Sequence, residues 1–117
     1  MARIFTAMNS HLSQKNCADL GENPPRLSGK DIVELKKELH GEWQVIDGRR
    51  LKRNFKFPDF TQALAFTNRI GEVAEGQNHH PDIYLTYGQV GVEFSSHSAG
   101  GLTESDFILC AKVDELK

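Results

Sequence analysis

The feature that most constrains the fold is a pair of apolar segments joined by Asp47-Gly48. The second segment, residues 51–57, alternates apolar with polar side chains. This period of two is typical of a strand in a sheet that has one solvated face. Because Asp-Gly favours the positive backbone angles of a tight turn, residues 43–46 and 51–57 are predicted to form a β-hairpin.

A second hairpin is predicted further along the chain. Residues 82–87 and 90–95 alternate in the same way, and Gly88-Gln89 stands between them. Glycine allows a two-residue connection at such a joint. Two hairpins predict a four-stranded, mainly antiparallel sheet.

Three capping signals mark the starts of predicted helices. Ser28, Asp59 and Thr103 are each followed, three positions later, by an acidic or amide side chain that completes a capping box. Apolar residues at helical spacing follow each one, so helices are predicted from Ser28 towards Gly41, from Asp59 to about Glu75, and from Thr103 almost to the last residue. The element order is then α-β-β-α-β-β-α, an α+β fold with the helices packed on one face of the sheet.

The 117 residues fit one domain. Residues 1–25 are rich in polar residues and end in a Gly- and Pro-containing breaker, so they are predicted to form a partly ordered N-terminal arm. The domain itself is predicted to span residues 26–117.

Cys110 lies in an apolar run and is expected to be buried, whereas Cys17 lies in a polar stretch and is expected to be exposed.

The overall charge and composition exclude several classes of protein. A net charge of -2 provides no broad attraction to nucleic acid or to an anionic membrane. The basic run Arg49–Arg53 borders a predicted turn and is interpreted as a solvated surface. No apolar stretch approaches the roughly 20 residues of a membrane span, and the first fifteen residues lack the apolar core of a signal peptide. Two unpaired, distant cysteines suit a reducing compartment, so a cytoplasmic location is expected.

Three of the five histidines are predicted to meet at one end of the second hairpin. His79 and His80 precede its first strand, and His97 follows its second strand. These positions lie at the same end of an antiparallel ladder, and counting outward from the turn places His97 level with Pro81. Imidazole exchanges protons near neutral pH, so the cluster suits general acid–base chemistry. Pro81 restricts the backbone of His80 to extended conformations.

Two other interpretations of these histidines are possible. Single histidines such as His11 and His40 are most often surface or structural residues, and the cluster could be structural as well. A zinc site is the sharper competitor, since histidine is a common zinc ligand. Adjacent residues such as His79 and His80 rarely both reach one ion, and no cysteine accompanies them, so no metal is predicted.

The spacing of these residues resembles the signature of the pterin-4a-carbinolamine dehydratases, a family that includes the dimerisation cofactor of a hepatocyte homeodomain factor. The residues that carry the resemblance are Glu75, His79, His80, Pro81, Tyr87, His97 and Asp106. The run from Ser96 to Thr103 is similar to the family as well, and the similarity covers about residues 25–117.

The resemblance implies a substrate and a reaction. The substrate would be a 4a-hydroxytetrahydropterin, dehydrated to a quinonoid dihydropterin in the recycling of the cofactor of aromatic amino-acid hydroxylases. The ring hydroxyl must gain a proton to leave as water, and the neighbouring ring N–H must lose one. Such a reaction needs no cofactor, metal or covalent intermediate.

The resemblance also implies roles for particular residues. His79 and His97 would transfer protons, and His80 would hold the pterin ring. The residues expected to bind substrate or support the histidines are Glu75, Pro81, Ser96 and Asp106. Two of these have a purely structural alternative: Glu75 could be a solvated helix end, and Asp106 could only cap its own helix.

A function from another class competes with the enzyme. Some relatives act as non-catalytic dimerising or regulatory modules, but the presence of all three histidines favours catalysis. A sheet covered on one face often buries its other face or its edge against a second copy, so a homodimer or homotetramer is expected.

Overall fold

A computed structural model of the chain describes residues 12–117 and shows the predicted order of helices and strands. The α-helices are α1 (Gly29–Lys36), α2 (Phe60–Gln77) and α3 (Glu104–Leu116). The strands are β1 (Gln44–Ile46), β2 (Arg50–Lys56), β3 (Asp82–Thr86) and β4 (Gln89–Phe94). Residues 12–14 are also helical, and short 3-10 helices occupy Cys17–Leu20 and His97–Ala99. His11 and the rest of residues 1–11 of the predicted arm lie outside the described residues.

The four strands form one antiparallel sheet in the order β1-β2-β4-β3. Its inner face is apolar and packs against the helices, which confirms the predicted α+β architecture. The buried inner side chains are Leu51, Phe55, Val90, Val92 and Phe94. The opposite face carries Asn54, Lys56 and Tyr84, which are exposed to solvent.

The first hairpin contains the predicted positive backbone angles, with φ of 55° at Asp47 and 68° at Gly48. Ile46 pairs with Arg50, so the loop holds three residues. The helix caps are also present: the Ser28 hydroxyl accepts a hydrogen bond from the backbone N–H of Asp31 at 3.2 Å. Local sequence chemistry therefore determines these turns and helix starts.

The register predicted for the second hairpin is wrong. Thr86 pairs with Gln89, so the two-residue turn is Tyr87-Gly88 and not Gly88-Gln89. Continuing this ladder outward places Pro81 level with Phe94, not with His97. The reason is tertiary: the backbone N–H of Phe57 donates to the carbonyl of Gly88 at 2.8 Å. A Cβ on residue 88 would lie 2.9 Å from the carbonyl oxygen of Phe57, so this turn position requires glycine.

Helix α3 is buried on several sides. Four consecutive residues, Phe107 to Cys110, are all fully buried, because the sheet covers one side of the helix and residues 12–20 approach another. Burial raises the pKa of the Cys110 thiol well above its ordinary value. A helix that is apolar around most of its circumference must be covered on both sides.

Cys17 is buried, so the expectation that it is exposed was wrong. Its thiol lies 3.9 Å from the carbonyl oxygen of Ser105, and burial raises the pKa of the thiol. The ammonium group of Lys15 lies 2.6 Å from the carboxylate of Glu104, and that of Lys112 donates to the carbonyl of Ser13 at 2.8 Å. These contacts hold residues 13–17 against α3.

The basic run makes contacts within the fold. Arg50 and Lys52 lie 3.3 and 3.7 Å from the carboxylate of Glu93, and Arg53 lies 2.8 Å from Asp114. Most of this positive charge is therefore compensated.

No helix among the described residues is both long enough and apolar enough to cross a bilayer.

Candidate functional site

His79, His80 and His97 line one pocket of about 840 Å³. The first two follow α2 directly, because Asn78 adopts a left-handed conformation with φ of 53° and ends the helix. The third begins the short helix after β4. The end of a helix and the end of a strand thus bring three imidazoles to a common cavity, despite the shifted register.

His79 is held by a buried carboxylate. Its Nε2 lies 2.6 Å from Oδ1 of Asp106, and its ring lies nearly parallel to Phe94, at 13° and 6.3 Å between centroids. A neutral imidazole that donates from Nε2 has an unprotonated Nδ1, which can accept a proton. The carboxylate also stabilises the imidazolium that would result.

Asp106 is fully buried and accepts three hydrogen bonds. Besides His79, the hydroxyl of Ser96 donates to Oδ2 at 2.8 Å, and the backbone N–H of Thr103 donates to the same oxygen at 2.9 Å. Because Ser96 donates there, its oxygen accepts from the Thr103 hydroxyl, 2.9 Å away. Asp106 thus both caps α3 and contacts His79, whereas the sequence presented these as alternatives.

His80 has a second carboxylate partner, although a more exposed one. Its Nε2 lies 2.8 Å from Oε1 of Glu75, and the side chain of Glu75 is 82% exposed. Glu75 is therefore a solvent-exposed helix end that also contacts a histidine. Neither Glu75 nor Pro81 lines the pocket itself.

His97 is exposed, and its ring is free of hydrogen bonds to the other residues of the 12–117 segment. It borders both the main pocket and a neighbouring cavity of about 510 Å³, which is lined by Arg49 and Arg50 among others. An imidazole without an internal partner at the rim of a pocket can exchange protons with a bound ligand or with solvent.

One wall of the pocket was not predicted from the sequence. It is formed by residues of the N-terminal segment 16–24, including Cys17, Asp19 and Glu22. This segment lacks helical or strand periodicity, so nothing in the residue pattern indicated where it would pack. The only local signal was a cysteine, a residue type that is usually buried, in an otherwise polar stretch.

The site also differs from a metal centre. Within residues 12–117, no three His, Cys, Asp or Glu side chains are grouped as ligands of one ion. His79 and His80 instead contact different carboxylates, Asp106 and Glu75.

The fold and the pocket define a small α+β protein with a histidine–carboxylate site suited to proton transfer. A family model described as pterin 4 alpha carbinolamine dehydratase matches residues 25–116. The chain belongs to this family of hydro-lyases, which confirms the resemblance found in the sequence.

Relatives from bacteria agree with this assignment. A protein of Rubrobacter xylanophilus is 45% identical over 107 residues, covering 92% of this chain and 99% of the relative. A protein of Alkaliphilus metalliredigens is 42% identical over 106 residues, covering 91% and 96%. Both carry pterin-4-alpha-carbinolamine dehydratase as a provisional name.

Two solved structures share the fold. The crystal structure of a transcriptional coactivator/pterin dehydratase from Brucella melitensis has a TM-score of 0.73 and 35% identity, and covers 78% of this chain and 97% of that one. A pterin dehydratase-like protein, described as a RuBisCO assembly factor in the α-carboxysome, has a TM-score of 0.56 and 24% identity, and covers 66% and 90%. The second likeness concerns the fold alone.

Proposed function

We propose that this chain dehydrates 4a-hydroxytetrahydropterin to quinonoid dihydropterin, in the recycling of the pterin cofactor of aromatic amino-acid hydroxylases. The observation that carries the proposal is the contact of 2.6 Å between buried Asp106 and His79, at the wall of a pocket shared with two further imidazoles. Family membership supports the choice of a pterin as substrate.

The reaction is a loss of water without oxidation or reduction. The bond between the ring carbon and its hydroxyl oxygen breaks, the oxygen gains a proton, and the neighbouring ring nitrogen loses one. Nδ1 of His79 takes the proton from nitrogen, since Asp106 occupies Nε2 and stabilises the positive charge. His97, which has a free ring, gives a proton to the leaving hydroxyl.

The remaining groups position the substrate and the histidines. A pocket of about 840 Å³ lies within the usual range for small-molecule sites and accommodates a bicyclic ring. His80, oriented by Glu75, holds the pterin ring. Ser96 fixes the carboxylate of Asp106.

The experiment is to measure the dehydration of 4a-hydroxytetrahydropterin by the purified protein against buffer alone. We expect a rate well above buffer, reduced about 100-fold or more in His97→Ala, because general acid–base catalysis contributes about 10²–10⁴-fold. His40→Ala is the matched control, since His40 is exposed and its ring accepts a hydrogen bond from the nearby backbone N–H of Glu42, outside the pocket. A wild-type rate equal to buffer contradicts the proposal.

The alternative is a non-catalytic binding module of the same fold. It is favoured by one observation, the fold shared with a protein described as a RuBisCO assembly factor. A wild-type rate equal to buffer would support this alternative.

We also propose that the chain forms a homodimer or homotetramer and is located in the cytoplasm. Tyr84 and Tyr87 are 53% and 70% exposed on and beside the edge strand β3, and large exposed aromatic side chains are typical of interfaces. Light scattering should give a multiple of the 13.1 kDa chain mass, and only 13.1 kDa would contradict the oligomer.

The two free cysteines support a reducing compartment, which fractionation of cell extracts would test.

A further inference from the structure

We infer that Asp19, in the N-terminal segment, is a substrate-binding residue whose carboxylate accepts hydrogen bonds from the amino-pyrimidinone edge of the pterin. The inference rests on the proposed function and extends it to part of the chain that precedes the family match at residues 25–116. Three observations carry it: the fixed position of the segment, the free carboxylate, and the chemistry of that edge of the ring.

The segment is fixed by a side chain at the end of α2. The carboxamide of Gln77 accepts a hydrogen bond from the backbone N–H of Cys17 at 2.8 Å and donates one to Oδ1 of Asn16 at 3.1 Å. Gln77 lies two residues before His79, so the same helix end positions both this histidine and the pocket wall formed by residues 16–24. Burial of Leu12 and Cys17 holds the segment on the core.

Asp19 lies within the 3-10 helix Cys17–Leu20 and lines the pocket. Its carboxylate forms no ion pair or hydrogen bond with the side chains of residues 12–117. Glu75 and Asp106 are engaged by histidines and lie outside the pocket lining, whereas Glu22 shares the pocket wall with Asp19. Asp19 is therefore an acceptor available to a ligand.

The chemistry of a pterin matches this acceptor. The 2-amino group and the adjacent ring N–H present two parallel donors on the edge opposite the hydroxylated carbon. A carboxylate has two acceptor oxygens and forms charge-assisted bonds that are stronger than neutral ones. A ring held by Asp19 at one edge would direct its reacting edge towards the histidines.

The test compares Asp19→Asn with wild type in dehydration kinetics and in equilibrium binding of 7,8-dihydropterin, which reports on the pocket without turnover. We expect KM and the dissociation constant of dihydropterin to rise about tenfold or more, because hydrogen bonds to charged groups are stronger than those between neutral groups. We expect kcat to stay within about twofold of the wild-type value. Glu72→Gln, an exposed carboxylate on α2 away from the pocket, should leave both values unchanged. Thermal unfolding verifies that each variant folds, and point variants are used because truncation would remove Leu12 and Cys17 from the core.

The outcomes separate this inference from the proposed function. Unchanged KM and unchanged dihydropterin binding in Asp19→Asn overturn the inference while leaving the dehydratase proposal intact. An inactive wild type that binds dihydropterin through Asp19 overturns dehydration but supports the inference. An equal effect of Glu22→Gln, which removes the same charge from the same wall, shows a general charge effect and overturns specific recognition by Asp19.

Discussion

Oδ1 of Asp106 lies 2.6 Å from Nε2 of His79, while Oδ2 of the same carboxylate accepts a hydrogen bond from the backbone N–H of Thr103, the N-cap residue of α3. The start of a buried helix and the orientation of a pocket histidine therefore depend on one side chain. Any motion of that helix end would move the histidine, so the rigidity of the core is transmitted to the site.

Asp106→Asn should lower kcat by about 100-fold. An amide lacks the negative charge that stabilises the His79 imidazolium, and its NH₂ group can instead donate to Nε2 and impose the other tautomer. Steady-state kinetics of the dehydration measure the effect. Unchanged kcat would show that the contact with His79 is only structural.

The Ser96→Ala variant distinguishes the structural role of the Asp106 carboxylate from its proposed role in catalysis. It removes one hydrogen bond to Asp106 but leaves the bond to His79 and the backbone N–H of Thr103 in place. We expect the free energy of unfolding to fall by about 1–3 kcal/mol, the cost of leaving a buried polar partner unsatisfied, with kcat reduced less than in Asp106→Asn. A larger loss of kcat in Ser96→Ala than in Asp106→Asn would contradict a mainly structural role of Ser96.

Asp114→Ala should be among the most destabilising single changes. Its carboxylate accepts from the indole N–H of Trp43 and from the guanidinium of Arg53, both at 2.8 Å, and the Arg53 side chain is only 10% exposed. Removing the acceptor leaves a nearly buried charge without its partner, at a cost of about 3 kcal/mol. Urea unfolding followed by Trp43 fluorescence measures it.

The matched control is Glu34→Ala. Its partner Lys37 lies 3.3 Å away, but both side chains are more than 60% exposed, so the loss should stay below about 1 kcal/mol. Equal losses in the two variants would refute the importance of burial.

Two glycine-to-alanine changes should have opposite signs. Gly71 lies within α2 and a Cβ there would meet nothing within 4 Å, so Gly71→Ala should stabilise the protein by about 1 kcal/mol. At Gly88 the added Cβ would lie 2.9 Å from the carbonyl of Phe57, so Gly88→Ala should destabilise by about 1–3 kcal/mol. Thermal unfolding measures both changes in stability, and a stabilised Gly88→Ala variant would contradict the close approach of residue 88 to Phe57.

Stability should fall at alkaline pH because of the buried thiol of Cys110. Its pKa in the folded chain is raised by burial above the ordinary value of 9.0. Above pH 9 the unfolded chain loses this proton while the folded chain keeps it, so the free energy of unfolding declines as pH rises. Cys110→Ala should show a shallower decline between pH 9 and 10.5 in chemical denaturation, and equal slopes would contradict the assignment.

The sequence predicts well whatever depends on neighbouring residues. The caps at Ser28, Asp59 and Thr103 and the turn at Asp47-Gly48 are local chemistry, and the order of elements follows from them. Placing the three histidines at one end of a hairpin needs only the antiparallel topology.

What the sequence could not provide depends on contacts between distant residues. The turn containing Gly88 is set by the carbonyl of Phe57, and the burial of Cys17 results from docking on α3. Asp106 lies 27 residues from His79 in the sequence, so the spacing left helix capping and a role at the histidines as alternatives. Only the folded chain shows that the carboxylate both caps α3 and contacts His79.

The proposed role of the His79–Asp106 pair is tested by the kcat of His79→Ala in the dehydration of 4a-hydroxytetrahydropterin, with folding verified by circular dichroism. Loss of the imidazole held by Asp106 should reduce kcat about 100-fold or more. A folded His79→Ala protein that turns over at the wild-type rate would contradict a catalytic role for this imidazole.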